Sequence, residues 1–290
     1  MSTQEELLTL FDQRFEKYLI ERKRCKMEFS YEVIHDLRVA TRRLLVFLDF
    51  IREINPHPRL KSLRRNFKDQ LDSLDDLRDT QVMLADFSEM IESLPELVPL
   101  LKSLTKREKR LIKAAEIDIR EFKLGVISGQ MEKVRAELAE QVDAQYFFEQ
   151  LLSVVDSAYS TVMERKDQVD PLRSATIHHV RLAFKKFRYM LEIIHPFLPG
   201  FPAKDMLKNY NDYQTAMGEI QDTDIILQAI VEFETANRND DLQSARLYYE
   251  RHRVELVNAY VENMNEFVTF WRKRPDTPFP WEPQQKKDKP

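Results

Sequence analysis

Residues 34–51 read IHDLRVATRRLLVFLDFI, and residues 177–194 repeat that stretch in diverged form as IHHVRLAFKKFRYMLEII. His35 matches His178, Arg38 matches Arg181, and the basic pairs Arg42-Arg43 and Lys185-Lys186 fall in register. On a helix at about 100° per residue, His35, Arg38 and Arg42 lie within about 60° of one another. Leu37, Leu44, Leu48 and Ile51 cluster on the opposite side. One face is therefore built to enter a core, and the other presents a row of cations. Two such helices in one chain point to a ligand that is long and negatively charged.

Composition supports a helical reading of the whole chain. The 290 residues include only four glycines, 32% charged residues and 43% hydrophobic residues. A doubly wound sheet or a β-sandwich needs glycine-bearing turns at many joins, and this chain cannot supply them. Net charge is −4 and the isoelectric point about 6.0, so the protein is not a basic coat for nucleic acid. The placement of the cations carries the signal instead: residues 34–68 hold nine Lys/Arg against three Asp/Glu. Positive charge concentrated on an acidic background focuses an anion at one place and repels it elsewhere. A single cysteine, Cys25, rules out an intrachain disulfide and a cysteine-rich metal site. The N-terminal residues show no apolar signal core, and no window reaches the ~18–20 apolar residues of a membrane span. The expectation is a soluble cytoplasmic protein.

Outward from the basic stretch, the pattern stays helical. Leu7, Leu8, Phe11, Phe15, Tyr18 and Leu19 define a first amphipathic helix from Thr3 to about Arg24. Ser30 is placed to cap the second helix, which Asn55-Pro56-His57-Pro58 ends. A third helix, residues 59–74, carries Lys61, Arg64, Arg65 and Lys68 at i, i+3, i+4, i+7, with Leu60, Leu63, Phe67, Leu71 and Leu74 opposite. Leu77-Arg78-Asp79-Thr80 reads as a break, with Asp79 or Thr80 capping a fourth helix. Pro95 and Pro99 mark a connection into a long charged helix over residues 101–122. Basic and acidic residues alternate along it, which predicts a solvated, salt-bridged face. Gly125 and Gly129 predict a bend or helix end. A final long helix is expected over residues 240–274.

The second half keeps the register of the first. At the offset 178 − 35 = 143, Lys61 meets Lys204, Arg65 meets Lys208, Asn66 meets Asn209, Asp69 meets Asp212, Asp79 meets Asp222 and Thr80 meets Thr223. This predicts an internal duplication: an all-α chain of two tandem antiparallel bundles of about four helices each, related by pseudo-twofold symmetry. The expected divisions are 1–144, 145–274, and a proline-rich tail over 275–290, flexible unless Phe279 and Trp281 dock on the body.

Arginine and lysine on rigid helix faces offer many N–H donors to phosphate oxygens, arginine in bidentate fashion. A histidine at the head of the row donates one N–H when neutral and two when protonated. More than a dozen cationic groups over two repeats exceed what one phosphate needs, and favour a polyanion.

The pattern of His, Arg three residues on, and a basic pair at seven and eight, in two copies, resembles the CHAD domain, the conserved histidine α-helical domain. The segments LDDLRDTQVML and MGEIQDTDIIL resemble that family's second recurring block, of the form lg..rD..v. The resemblance covers nearly the whole chain. It implies two helical bundles whose basic helices face a central groove or pore, and binding of inorganic polyphosphate. Carried over by position, it implies His35, Arg38, Arg42, Arg43, His178, Arg181, Lys185, Lys186 and Arg188 as ligands. The sequence departs from the family at Leu45, where the second copy keeps the basic Arg188. Lys61, Arg64, Arg65 and Lys68 are expected to compensate in the first half, with only Lys204 and Lys208 as second-half counterparts. The triphosphate-tunnel domain fused to some relatives has no likeness here.

The expected activity is therefore polyphosphate binding without catalysis, cofactor or metal, in the cytoplasm and in association with polyphosphate granules or a protein partner. A nucleic-acid-binding module is the alternative, disfavoured because Phe47, Phe67 and Phe187 fall toward the apolar sides rather than among the cations. A metal-dependent phosphohydrolase using His35-Asp36 ranks below it. The second copy reads His178-His179, and no HExxH, Walker or G-x-S-x-G element is present.

Overall fold

In the computed structural model, which describes residues 3–141, 144–237 and 240–282, every α-helical or 3₁₀ element is joined only to others of its kind, and no strand occurs among the described residues. The helices are α1 (Thr3–Cys25), α2 (Tyr31–Ile54), α3 (Pro58–Asp72), α4 (Asp75–Met90), α5 (Val98–Glu121), α6 (Leu124–Gln141), α7 (Ala144–Lys166), α8 (Ser174–Ile194), α9 (Ala203–Ala236) and α10 (Gln243–Asn263). Short 3₁₀ turns over Pro95–Leu97, His195–Phe197 and Glu266–Thr269 punctuate them. No helix among the described residues is long and apolar enough to cross a membrane.

Local chemistry sets the helix ends. The Ser30 hydroxyl accepts from the Val33 N–H at 3.4 Å and caps α2. His57 Nδ1 accepts from the Arg59 N–H at 3.1 Å, and Pro58 opens α3 at a position where no N–H is needed. The break after α3 comes earlier than expected, at Ser73 and Leu74. Asp75 and Asp76 occupy the first turn of α4, where carboxylates complement the positive helix end. Asp79 and Thr80 therefore lie inside α4 and do not cap it; the Thr80 hydroxyl donates back to the Asp76 carbonyl at 2.7 Å. In the second half there is no break at all, since α9 runs unbroken through Asp222 and Thr223. Gly125 and Gly129 also sit within a helix, α6, and the turn falls before them at Phe122 and Lys123. The final helix ends at Asn263 rather than near Arg274.

The chain divides into two compact units, Met1–Ala144 with Asp222–Val254, and Gln145–Gln221 with Glu255–Pro290. These differ from a simple division into consecutive halves, because α9 and α10 each contribute to both. The reason is a hydrophobic cluster in which Met83, Phe87, Leu97 and Leu104 pack with Ile226, Ile230, Leu242 and Tyr249. In the first unit, Phe11 meets Phe47 edge-on at 5.9 Å, Tyr18 meets Phe67 at 5.0 Å, and the Tyr18 hydroxyl donates to Gln70 at 2.6 Å. Burial pushes the Tyr18 phenol above its ordinary range.

The second unit closes around an aromatic core. Phe184 lies 5.0 Å from Tyr213 and Phe187 lies 5.2 Å from Tyr159 between ring centres. The Tyr159 hydroxyl reaches the carbonyls of Phe267 and Val268, and Tyr210 donates to that of Phe270 at 2.7 Å. Asp156 accepts from Trp271 Nε1 at 2.7 Å and from Arg272 at 2.9 and 2.6 Å. Over residues 275–282 the tail takes the docked alternative and folds onto this unit. Phe279 and Trp281 stack on each other at 4.7 Å, and Trp281 also meets Trp271 and Phe201. Aromatic area so placed outweighs the local proline content.

Candidate functional site

Helix α2 places its motif residues by its own amphipathicity. Leu37, Leu44, Leu48 and Ile51 are buried, which leaves His35 exposed and Arg42 and Arg43 half-buried on the flank. Arg38 goes elsewhere: it is only 9% exposed, ion-paired with Asp75, and donates to the Leu71 carbonyl at 3.2 Å. It acts as a clamp between α2 and the α3–α4 turn.

The charge environment of His35 shows which groups converge on it. Although the side chain reaches solvent, its pKa is held below the ordinary histidine value first by partial desolvation against the neighbouring helices and then by repulsion from Arg78, with Arg38 and Arg42 adding to this and Asp36 opposing it. Asp36 itself is engaged by Arg24 at 2.9 Å. Arg78 was absent from the sequence-derived set. Its guanidinium lies over the Tyr31 ring at 4.0 Å, and its buried Nη1 has no hydrogen-bond partner. The signal for it was present, because Arg78 immediately precedes Asp79 in the second recurring segment.

On α3 the four expected cations separate. Arg64 donates to Asp49 at 2.6 Å and Lys68 pairs with Asp72, whereas Lys61 and Arg65 are exposed and make no ion pair among the described residues.

In the second unit, His178 is also held below its ordinary value, first by burial and then by Arg181, with His179 and Lys185 adding to it. A hydrogen bond with Gln221 works in the other direction, and the buried Nδ1 has no partner. Gln221 stands at 78 + 143, so the residue beside the motif histidine is supplied by the same position in both halves. The Arg181 guanidinium passes Gly218, with Nε and Nη2 each 3.9 Å from where a β-carbon would sit. Arg188 contacts Asn211 at 3.2 Å and Glu192 at 3.9 Å, and lies over Tyr189. Lys186, Lys204 and Lys208 are exposed and make no ion pair among the described residues.

This arrangement, a half-buried or exposed histidine ringed by helix-borne cations, occurs once in each unit. The family model of the CHAD domain matches residues 9–231. The chain belongs to the CHAD domain family. Its fold is similar to that of a CHAD domain from the plant Ricinus communis, with a TM-score of 0.69 at 19% identity over 93% of this chain and 90% of that one. No curated protein matches the chain.

The side chains of these clusters offer charge-assisted hydrogen-bond donors. No group of three or more His, Cys, Asp or Glu side chains able to hold a metal occurs among the described residues. The second unit also holds a cleft of about 620 Å³. Asp212, Glu219 and Glu266 line it with Tyr213 and Tyr260, and no Lys or Arg does.

Proposed function

We propose that this CHAD domain protein binds inorganic polyphosphate without turning it over. The observation that carries the reading is the convergence of cations on one histidine in each unit: Arg78, Arg38 and Arg42 on His35, and Arg181 and Lys185 on His178. Burial and then repulsion from these cations lower the pKa of each imidazole, and a phosphate chain bound there would replace like-charge contacts with attraction. Arginine contributes bidentate donors and lysine point charges, and release of counterions from the chain adds a salt-dependent driving term. A ligand engaging both clusters gains from the high effective concentration of the second once the first is bound. The sequestration of Asp36 by Arg24 argues against a His35-Asp36 metal-hydrolase pair.

The test is calorimetric titration with long-chain polyphosphate at two salt concentrations, with orthophosphate and single-stranded RNA as controls. Polyphosphate alone should bind tightly, and more weakly as salt rises. Arg42→Glu combined with Lys185→Glu should abolish most of that binding while circular dichroism and melting stay unchanged. Equal binding by the variant, or preference for RNA of matched charge, would overturn the reading. Release of orthophosphate with added Mg²⁺ or Mn²⁺ would replace it with hydrolysis.

A further inference from the structure

Along the sequence, the charges of α5 alternate; around the helix, they do not. Lys102, Lys106, Lys109, Arg110, Lys113 and Arg120 fall within an arc of about 100°. All six are exposed, and their side chains make no ion pair or hydrogen bond among the described residues. The arc contains no carboxylate. Glu108 points instead to Gln81 of α4, accepting from its Nε2 at 3.3 Å. The opposite side of α5 carries Leu100, Leu104, Ala115 and Ile119 into the core, which fixes the direction in which the cations face. The salt-bridged surface expected for this helix is thus a cationic stripe about 27 Å long.

Such a stripe works against the isolated helix. Lys102 with Lys106, Lys106 with Arg110 and Lys109 with Lys113 are like-charge pairs at i, i+4, each destabilising. Like charges in a row are relieved when a linear anion lies along them. The stripe is also joined to the motif cluster of its own unit. Arg107 pairs with Asp76 at 3.6 Å in the first turn of α4, the helix that carries Arg78 beside His35. Only Ile117 interrupts the cations, with no aromatic ring to stack a base and no apolar flank to enter a bilayer.

We infer that the α5 stripe is a second polyphosphate-binding surface, engaged by long chains and not by short ones. This rests on the polyphosphate reading of the motif clusters. The ligand is one whose charges are all carried by its backbone, so contact along an exposed helix face suffices.

The experiment compares the parent, K106Q/K109Q/K113Q and R42E/K185E, each titrated with tripolyphosphate and with long-chain polyphosphate across a salt series. The stripe variant should bind tripolyphosphate as the parent does. It should bind the long chain about tenfold more weakly, with the slope of log affinity against log salt smaller by about 2, as three lost cation contacts require. Its melting temperature should be equal to or above the parent's, since it loses like-charge pairs. Long-chain binding with unchanged affinity and slope would overturn the stripe and leave the motif reading standing. Normal binding by R42E/K185E with loss in the stripe variant would do the reverse. Failure of the parent to bind either chain would overturn both. Loss of single-stranded RNA binding alone in the stripe variant would reassign the surface to nucleic acid.

Discussion

The Arg38 guanidinium is ion-paired with Asp75, and at the corresponding place in the second half Arg181 faces Gly218, since 38 + 143 = 181 and 75 + 143 = 218. One motif arginine is therefore tied to a carboxylate in the first turn of α4, and the other passes a residue with no side chain. Arg38 is 9% exposed and also bonded to the Leu71 carbonyl, so its charge is spent largely on holding α2 against the α3–α4 turn. At this pair of positions the two halves therefore differ, with a carboxylate at 75 and a glycine at 218.

Asp75→Asn should show what the first arrangement does. It leaves a mostly buried guanidinium without its counter-charge, and removing one partner of such a pair costs up to about 3–5 kcal/mol when both are buried. Asp75 is itself partly exposed, so we expect a loss of about 2 kcal/mol in urea unfolding, with the slope against denaturant unchanged. A change below about 0.5 kcal/mol would show that Arg38 is held by Leu71 and packing alone.

Gly218→Asp tests the second arrangement. It introduces at Arg181 the carboxylate that Asp75 supplies to Arg38, on a half-exposed helical position where aspartate is no worse a helix former than glycine. Polyphosphate affinity should fall about fivefold or more, with melting temperature held or raised. Gly218→Ala serves as the control, because its methyl meets Arg181 at an ordinary contact distance of 3.9 Å. If the aspartate and alanine variants bind alike, Arg181 does not contact the ligand.

The fold was largely legible because α1, α2, α3 and α5 each bury one periodic apolar face, and 3.6-residue periodicity reads that directly. Helix ends set by a side-chain oxygen or a proline, such as Ser30 and Pro58, were equally visible. The α3–α4 break was misplaced because Asp79 resembles a cap, whereas Asp75 and Asp76 act through the helix dipole. The continuity of α9 had no local signal. It depends on Ile226 and Ile230 packing with Phe87 and Leu97, partners more than a hundred residues away. The site was half legible. Residue type and spacing single out His35, Arg42 and Arg181 as candidates, but do not show that Arg38, Arg64 and Lys68 are paired with Asp75, Asp49 and Asp72. Counter-charges come from neighbouring helices, and a single-helix projection does not contain them.

The two histidines make both stability and binding depend on pH, in opposite senses. In the free protein, burial and neighbouring cations hold His35 and His178 below the ordinary value near 6.5. Below about pH 6.5 the unfolded chain therefore binds more protons at these positions than the native one, and native stability falls as pH drops through that window. The groups acting on His35 are Arg78, Arg38, Arg42 and Asp36. Those acting on His178 are Arg181, His179, Lys185 and Gln221. A bound phosphate chain adds negative charge beside each ring and favours its protonated form, so binding takes up protons and strengthens as pH falls. The rise in melting temperature caused by saturating polyphosphate should be larger at pH 5.5 than at pH 7.5. In His35→Gln/His178→Gln that difference should shrink, while the rise at pH 7.5, where both rings are neutral, should be nearly preserved. A pH-independent rise in the parent, or a difference unchanged in the double variant, would place both histidines outside the reach of the bound chain.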